Sequence, residues 1–112
     1  MGERGQILIK DTGVYLYTHW GGHGLKEMLQ NVLSRNVRWN DEEYLSRIIF
    51  SEMIKDEIDG ETGYGIGTME HGDLNYPLLI IDVKKQTIKE QSKTWTFEKF
   101  ITENFNTEDE GN

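Results

Sequence analysis

The chain has no cysteine and one proline, Pro77, in 112 residues. Without thiols it can form neither a disulfide nor a zinc–thiolate site, and it has no cysteine nucleophile. The lack of disulfides favours a reducing compartment, so we expect a cytoplasmic protein. Apolar runs such as Leu78–Ile81 are too short to cross a membrane. The first residues lack a basic segment followed by an apolar one, so no signal peptide is expected.

Positive charge is also scarce, with 12 Lys and Arg against 20 Asp and Glu and a formal net charge of −8. Such a surface repels nucleic acids and anionic membranes, so we expect direct binding to neither. It suits a basic partner, such as the nucleic-acid-binding groove of another protein. The alternative is that the charge only keeps the protein soluble.

The length predicts one domain spanning residues 1–112, with residues 104–112 as a flexible acidic tail. Three Trp, five Tyr and four Phe supply large apolar areas for the core. A helical stripe follows the glycines after Trp20, because apolar residues recur there at spacings of three and four. Its members are Leu25, Met28, Leu29, Val32 and Leu33.

Capping residues mark the starts of two further helices. Asn40 is the predicted N-cap of the second, with Glu43 completing a capping box and Trp39 packing on Tyr44 as a hydrophobic staple. Near the end of the chain, Thr96 is predicted to cap a short helix.

The resulting order is β-β-α-α-β-β-β-α. It predicts a single-domain two-layer α+β sandwich, in which an antiparallel sheet carries a helix pair on one face. The pattern leaves the strand order open. The predicted strands are 6–10, 14–19, 64–68, 76–83 and 87–91, and the predicted helices are 25–35, 41–55 and a short one from Phe97.

The most unusual segment is His19-Trp20-Gly21-Gly22-His23. Two histidines four residues apart can share a metal when both lie on one helix face, but here glycines place them in a loop. His71 or Glu70 is a candidate third ligand. The alternatives are that Trp20 anchors the hairpin to the core, or that a rigid aromatic among glycines recognises a partner.

Alternating glycines, Gly65 and Gly67, fall in the third predicted strand. Both lie on one face of it, where a helix or a ligand can approach closely. The segment 60–67 resembles a phosphate loop only weakly, because it lacks the Lys-Ser/Thr ending and leads into a strand. Residues 56–61 do not fit a calcium loop, because Ile58 occupies a ligand position. Residues 70–73 could hold an acid/base pair, but a polar turn is the favoured interpretation.

The segment 17–22, Tyr-Thr-His-Trp-Gly-Gly, and the segment 39–45, Trp-Asn-Asp-Glu-Glu-Tyr-Leu, resemble small uncharacterised phage and bacterial proteins. Those proteins carry a His-Trp-x-Gly segment after an opening hairpin, a glycine-rich piece like residues 63–66, and an apolar strand ending in Asp. The resemblance covers about residues 6–90. It implies a phage or mobile-element setting and no activity.

The leading hypothesis is a non-enzymatic binding or regulatory protein that acts on a macromolecular partner, without a cofactor. Small size, acidity and the lack of a catalytic constellation favour it. The expected contact residues are His19, Trp20 and His23, with Tyr15 and Tyr17.

Two alternatives remain open. A small-ligand binder for a nucleotide or anion would use Gly65, Gly67 and the His-Trp loop as pocket walls. A metal-dependent hydrolase would use His19, His23 and His71. Oligomeric state is open, because the strand 87–91 is predicted to be exposed and able to pair with a second copy.

Overall fold

The computed structural model describes residues 3–105, which form six short strands and three helices. A 3-10 turn, Gly22–Gly24, joins the opening hairpin to the first helix. The strands are β1 Gly5–Ile9, β2 Val14–Thr18, β3 Tyr64–Gly67, β4 Leu79–Asp82, β5 Thr87–Glu90 and β6 Lys93–Thr96, and the helices are α1 Leu25–Ser34, α2 Glu42–Ile54 and α3 Phe97–Phe100.

The six strands form one sheet in the order β3-β2-β1-β4-β5-β6. Four neighbouring pairs are antiparallel, whereas β1 and β4 run parallel, with Ile7 opposite Leu79 and Ile9 opposite Ile81. The predicted antiparallel pairing is therefore confirmed for four pairs and was wrong for β1 with β4, so the sheet is mixed. The parallel pair arises because β3 adds to the outer side of β2, and the chain then returns through residues 68–78 to the free side of β1.

One face of the sheet carries the core, which confirms the α+β sandwich. Alternate strand residues such as Ile7, Ile81 and Ile88 are 0% exposed and share one cluster with the apolar stripes of the helices. Every second side chain of the strands packs here against the apolar stripes of the helices, as a two-layer arrangement requires. The opposite face, which no described helix covers, carries the half-buried Leu8 and Ile80. We call it the open face.

The start of α2 differs from the prediction by one residue. Asp41, not Asn40, is the N-cap, and its side chain accepts a hydrogen bond from the Tyr44 amide at 3.1 Å. The predicted staple is absent, because Trp39 lies edge-on against Phe97 with ring centroids 5.3 Å apart. Tyr44 is instead 51% exposed.

The prediction for α3 is confirmed. The Thr96 side chain accepts a hydrogen bond from the Lys99 amide at 3.1 Å, and the rings of Trp95 and Phe100 lie 5.3 Å apart. The strand before it, β6, was not predicted. Because β6 pairs with β5, the segment 87–91 is not an exposed edge, and the edges of the sheet are β3 and β6.

Two further sequence predictions concern the end of the chain and membranes. Of the predicted flexible tail, residues 104–112, the part from residue 106 onward lies outside the described residues. Phe105, near the start of that tail, is only 3% exposed. Across residues 3–105 no helix has the length and apolarity needed to cross a bilayer.

Candidate functional site

Tyr17 lies at the centre of a group of aromatic side chains near the end of β2. Its hydroxyl is 2.9 Å from Nδ1 of His19, and its ring stacks on His71 with centroids 4.4 Å apart and planes 13° apart. Burial raises the pKa of Tyr17, with a smaller contribution from the charge of Asp73 and an opposing one from Arg4. The structure thus brings the predicted residue His71 from the second half of the chain to two others, Tyr17 and His19, that are neighbours in sequence.

The position of His71 depends on Gln6, a buried polar residue of β1 that is 1% exposed. The Gln6 amide oxygen accepts a hydrogen bond from the His71 backbone N–H at 2.9 Å, and its amide nitrogen donates to the Met69 carbonyl at 3.2 Å. These two bonds tie the connection between β3 and β4 to the open face. Sequence reasoning missed Gln6, because nothing near it in the chain marks a glutamine as a loop anchor.

Trp20 follows His19 and packs on the segment that leads into β3. The His19 amide donates to the Gly63 carbonyl at 2.8 Å, and the Trp20 ring meets Tyr64 edge-on with centroids 6.1 Å apart. Trp20 remains 48% exposed. The alternative that it anchors the hairpin to the core was therefore wrong, and Gly63 is the glycine that makes room for its ring.

Two large apolar side chains in and just after β3 are exposed. Ile66 is 62% exposed and Met69 is 76% exposed. Because Ile66 pairs with Leu16, its side chain lies on the same face as Tyr64, opposite Gly65 and Gly67. Scattered exposed apolar residues are ordinary on a protein surface, whereas large apolar patches are not. We call the side chains that border β3 on both faces of the sheet the aromatic patch, and its members are Tyr17, His19, Trp20, Tyr64, Ile66, Met69 and His71.

The predicted glycines of β3 lie beside the patch. Gly65 is paired with Tyr17 and Gly67 with Tyr15, so both glycines lie on the open face, as the sequence predicts. A Cβ atom built on either would meet no atom within 4 Å. They leave a depression of about 190 Å³. It is lined by Gln6, Tyr17, Gly65, Ile66, Gly67, Met69 and His71.

His23 has different partners from His19. Its Nδ1 lies 2.8 Å from a carboxylate oxygen of Glu3, which also accepts a hydrogen bond from the Tyr76 hydroxyl at 3.1 Å. The bond from His23 is the main cause that lowers the pKa of Glu3. His23 lines a separate cavity with Lys26. The single binding surface predicted around His19 and His23 is therefore two surfaces, one around each histidine.

The predicted metal ligands do not come together as one group in the described residues. No group of three or more His, Asp or Glu side chains that could hold an ion occurs within residues 3–105. Nδ1 of His71 lies 4.0 Å from a carboxylate oxygen of Asp73. In the loop that was compared with a calcium site, Ile58 is 71% exposed.

The segment that contains β3 and leads to His71 is rich in negative charge. Residues 56–75 include no Lys or Arg, and the carboxylates of Glu57 and Asp56, after burial, raise the pKa of Tyr64. Arg4 is a cation near Tyr17, where it opposes the rise in the pKa of that residue. We call the carboxylates of this segment the acidic rim. The acidic residues of this segment are Asp56, Glu57, Asp59, Glu61, Glu70 and Asp73.

No protein-family model, curated protein sequence or solved structure matches the chain. The function must therefore be argued from the chemistry of its own residues, and the resemblance to phage and bacterial proteins stays a prediction.

Proposed function

We propose that the protein is a non-enzymatic binding module that recognises another protein through the aromatic patch. One observation carries the proposal: Trp20 is 48% exposed and its ring packs on Tyr64 of the edge strand β3, and Ile66 in β3 and Met69 just after it are 62% and 76% exposed. Tryptophan is among the residues that most often dominate the energy of protein interfaces.

The patch is held in place before any partner binds. Gly63 and Tyr64 fix one side of the Trp20 ring, and Gln6 fixes the loop that carries His71. Fewer side-chain conformations are then lost on binding, which raises affinity. Trp20 fits the role of a rigid anchor better than that of a core residue.

The acidic rim defines the partner's chemistry. Carboxylates such as Glu57, Glu61 and Glu70 attract Lys and Arg and repel acidic surfaces. We therefore expect a partner segment that combines apolar side chains with positive charge. A nucleic-acid-binding protein is one class with such a surface, and a cytoplasmic, phage or mobile-element setting is part of this proposal.

The small-ligand alternative draws on the depression over Gly65 and Gly67. Its volume of about 190 Å³ lies below the roughly 300–1,000 Å³ of typical ligand pockets. A space of this size suits one side chain of a protein partner better than a nucleotide.

Affinity capture from a lysate of the native host tests the proposal when three baits are compared: wild type, Trp20→Ala and Tyr44→Ala. Tyr44 is a matched control, because it is an aromatic residue 51% exposed on α2, where the Arg38 guanidinium lies over its ring. We expect one captured protein to be lost with Trp20→Ala and kept with Tyr44→Ala. The captured protein is then purified, and its affinity for each variant is measured by calorimetry.

Loss of at least about 2 kcal/mol of binding free energy on Trp20→Ala alone would support the aromatic patch as the contact surface. Equal affinity of all three baits would overturn the proposal. Circular dichroism and denaturant unfolding of each bait exclude misfolding as the cause.

A further inference from the structure

The edge strand β3 offers its backbone to a partner. The His19 amide donates to the Gly63 carbonyl, and the register continues with Gly65 opposite Tyr17 and Gly67 opposite Tyr15. In an antiparallel pair, hydrogen-bonded positions alternate along each strand. The glycines therefore use their backbone groups for β2, and the N–H and C=O groups of Tyr64 and Ile66 point outward from the sheet.

The two edges of the sheet differ in how they are protected. Edge strands normally carry charged residues, proline or a bulge, which discourage pairing with another chain. β6 begins at Lys93 and runs directly into α3. β3 reads Tyr-Gly-Ile-Gly and has no charge and no proline. It is the edge that lacks protection.

We infer that the partner binds as an extended segment that adds a strand to β3 and places one side chain over Gly65 and Gly67. The inference rests on the proposed function and specifies how the aromatic patch is used. Strand addition supplies affinity through backbone hydrogen bonds and specificity through pockets for alternate side chains. The depression beside Tyr17 and His71 is such a pocket, because no atom of residues 3–105, apart from the glycines' own chain neighbours, lies within 4 Å of a Cβ atom built on Gly65 or Gly67.

Charge selects the source of that segment. A second copy of this chain could pair with β3 in either direction. Antiparallel pairing would bring Glu61 of one copy close to Glu70 of the other, and parallel pairing would bring the two Glu61 residues together. Like charges in these positions are destabilising. The occupant is therefore a segment of a different protein, with Lys or Arg flanking an apolar or aromatic residue.

Random peptides displayed as a library and selected on the full-length protein provide the probe. Selected peptides are expected to carry Lys or Arg and to compete with the captured partner. Ile66→Pro removes an outward N–H that the pairing with β2 does not use, so the fold is expected to persist. Ile66→Ala keeps that N–H and is the matched control. We expect affinity to fall about tenfold further in Ile66→Pro than in Ile66→Ala.

N-methylation of the best peptide, one residue at a time, tests the same contacts on the wild-type protein. Strand pairing predicts that binding falls at every second position, because only alternate N–H groups face β3. Loss of binding without this alternation, equal affinity of the two Ile66 variants, or a library that yields no binder would each overturn strand addition. Loss of the captured partner on Trp20→Ala would still support the proposed function, so the two failures are distinguishable.

Discussion

Trp20 and Gly63 fit together so closely that position 63 has no room for a side chain. A Cβ atom there would lie 2.1 Å from Cζ3 of the Trp20 ring, and Gly63 itself adopts a φ of +95°. Both the space and the backbone conformation therefore require glycine. The contact fixes the exposed indole against the strand that we propose as the docking edge.

Gly63→Ala is expected to destabilise the protein by about 2–4 kcal/mol. The left-handed backbone accounts for about 1–2 kcal/mol of this, and displacement of the indole for the remainder. Gly13→Ala is the control, because Gly13 has a φ of +75° but no atom lies within 4 Å of an added Cβ. Comparing the free energies of unfolding of the two variants separates the cost of the left-handed backbone from the cost of displacing the indole. Equal destabilisation would show that the Trp20 contact contributes nothing.

Gly65→Ala is expected to stabilise the fold and to weaken partner binding. An added methyl group meets no atom within 4 Å, and alanine is about 0.5–1 kcal/mol better than glycine within a strand. The same methyl group enters the depression proposed for the partner's side chain. Gly72→Ala, also without a near neighbour, is the control in binding and unfolding measurements. Unchanged affinity of Gly65→Ala would contradict the proposed use of the depression.

Gln6→Leu is expected to release the loop that carries His71. The substitution removes partners from the His71 N–H and the Met69 carbonyl. These groups can regain hydrogen bonds from water, so the total free energy of unfolding is expected to change by only about 1 kcal/mol. Amide exchange at His71 should accelerate by about tenfold or more. Unchanged protection of that amide would show that the loop is held by other contacts.

The ion pairs of Glu52 give stability a pH dependence. Its hydrogen bonds with Lys55, at 2.8 Å, and with Arg35 lower its pKa from the usual 4.5, although burial opposes them. The same contact raises the pKa of Lys55 above 10.5. This contribution is present above the unfolded-state pKa of Glu52 and disappears as pH falls through the folded-state pKa. At high pH it disappears as Lys55 deprotonates.

Glu52→Gln should therefore lower the free energy of unfolding near pH 7 and lose that effect in acid. Urea titrations at several pH values measure the difference from wild type. The exposed Glu103→Gln is the control. A difference that stays constant from neutral pH to below pH 4 would contradict the role assigned to these ion pairs.

Local signals in the sequence predicted the local structure well. The stripe from Leu25 to Leu33 and the cap at Thr96 identified α1 and α3, because both depend on residues within a few positions. The strand β6 escaped notice because its turn begins at Gln91, with a φ of +56°. Glycine or asparagine usually marks such a conformation, and glutamine gives no signal.

The site was predictable only in part. Sequence reasoning selected Trp20, Tyr17 and His71, but it could not show that Gln6 joins the loop of His71 to the sheet. It also grouped His23 with His19, although His23 pairs with Glu3. These relationships depend on the parallel pairing of β1 with β4 and on the return of the chain between β3 and β4. No periodicity within a single segment encodes either.

The parallel junction between β1 and β4 also has a consequence for how the chain folds. The hairpin of β1 and β2 and the meander of β4, β5 and β6 each join neighbours in sequence and close quickly. Pairing β1 with β4 joins residues as far apart in sequence as Ile7 and Leu79, so it carries the entropy cost of closing a long loop. We therefore expect the hairpin and the meander to form early and the pairing of β1 with β4 to be the slower step. Because Leu79 takes part in that pairing and Trp95 does not, substitutions at Leu79 should slow folding more than those at Trp95.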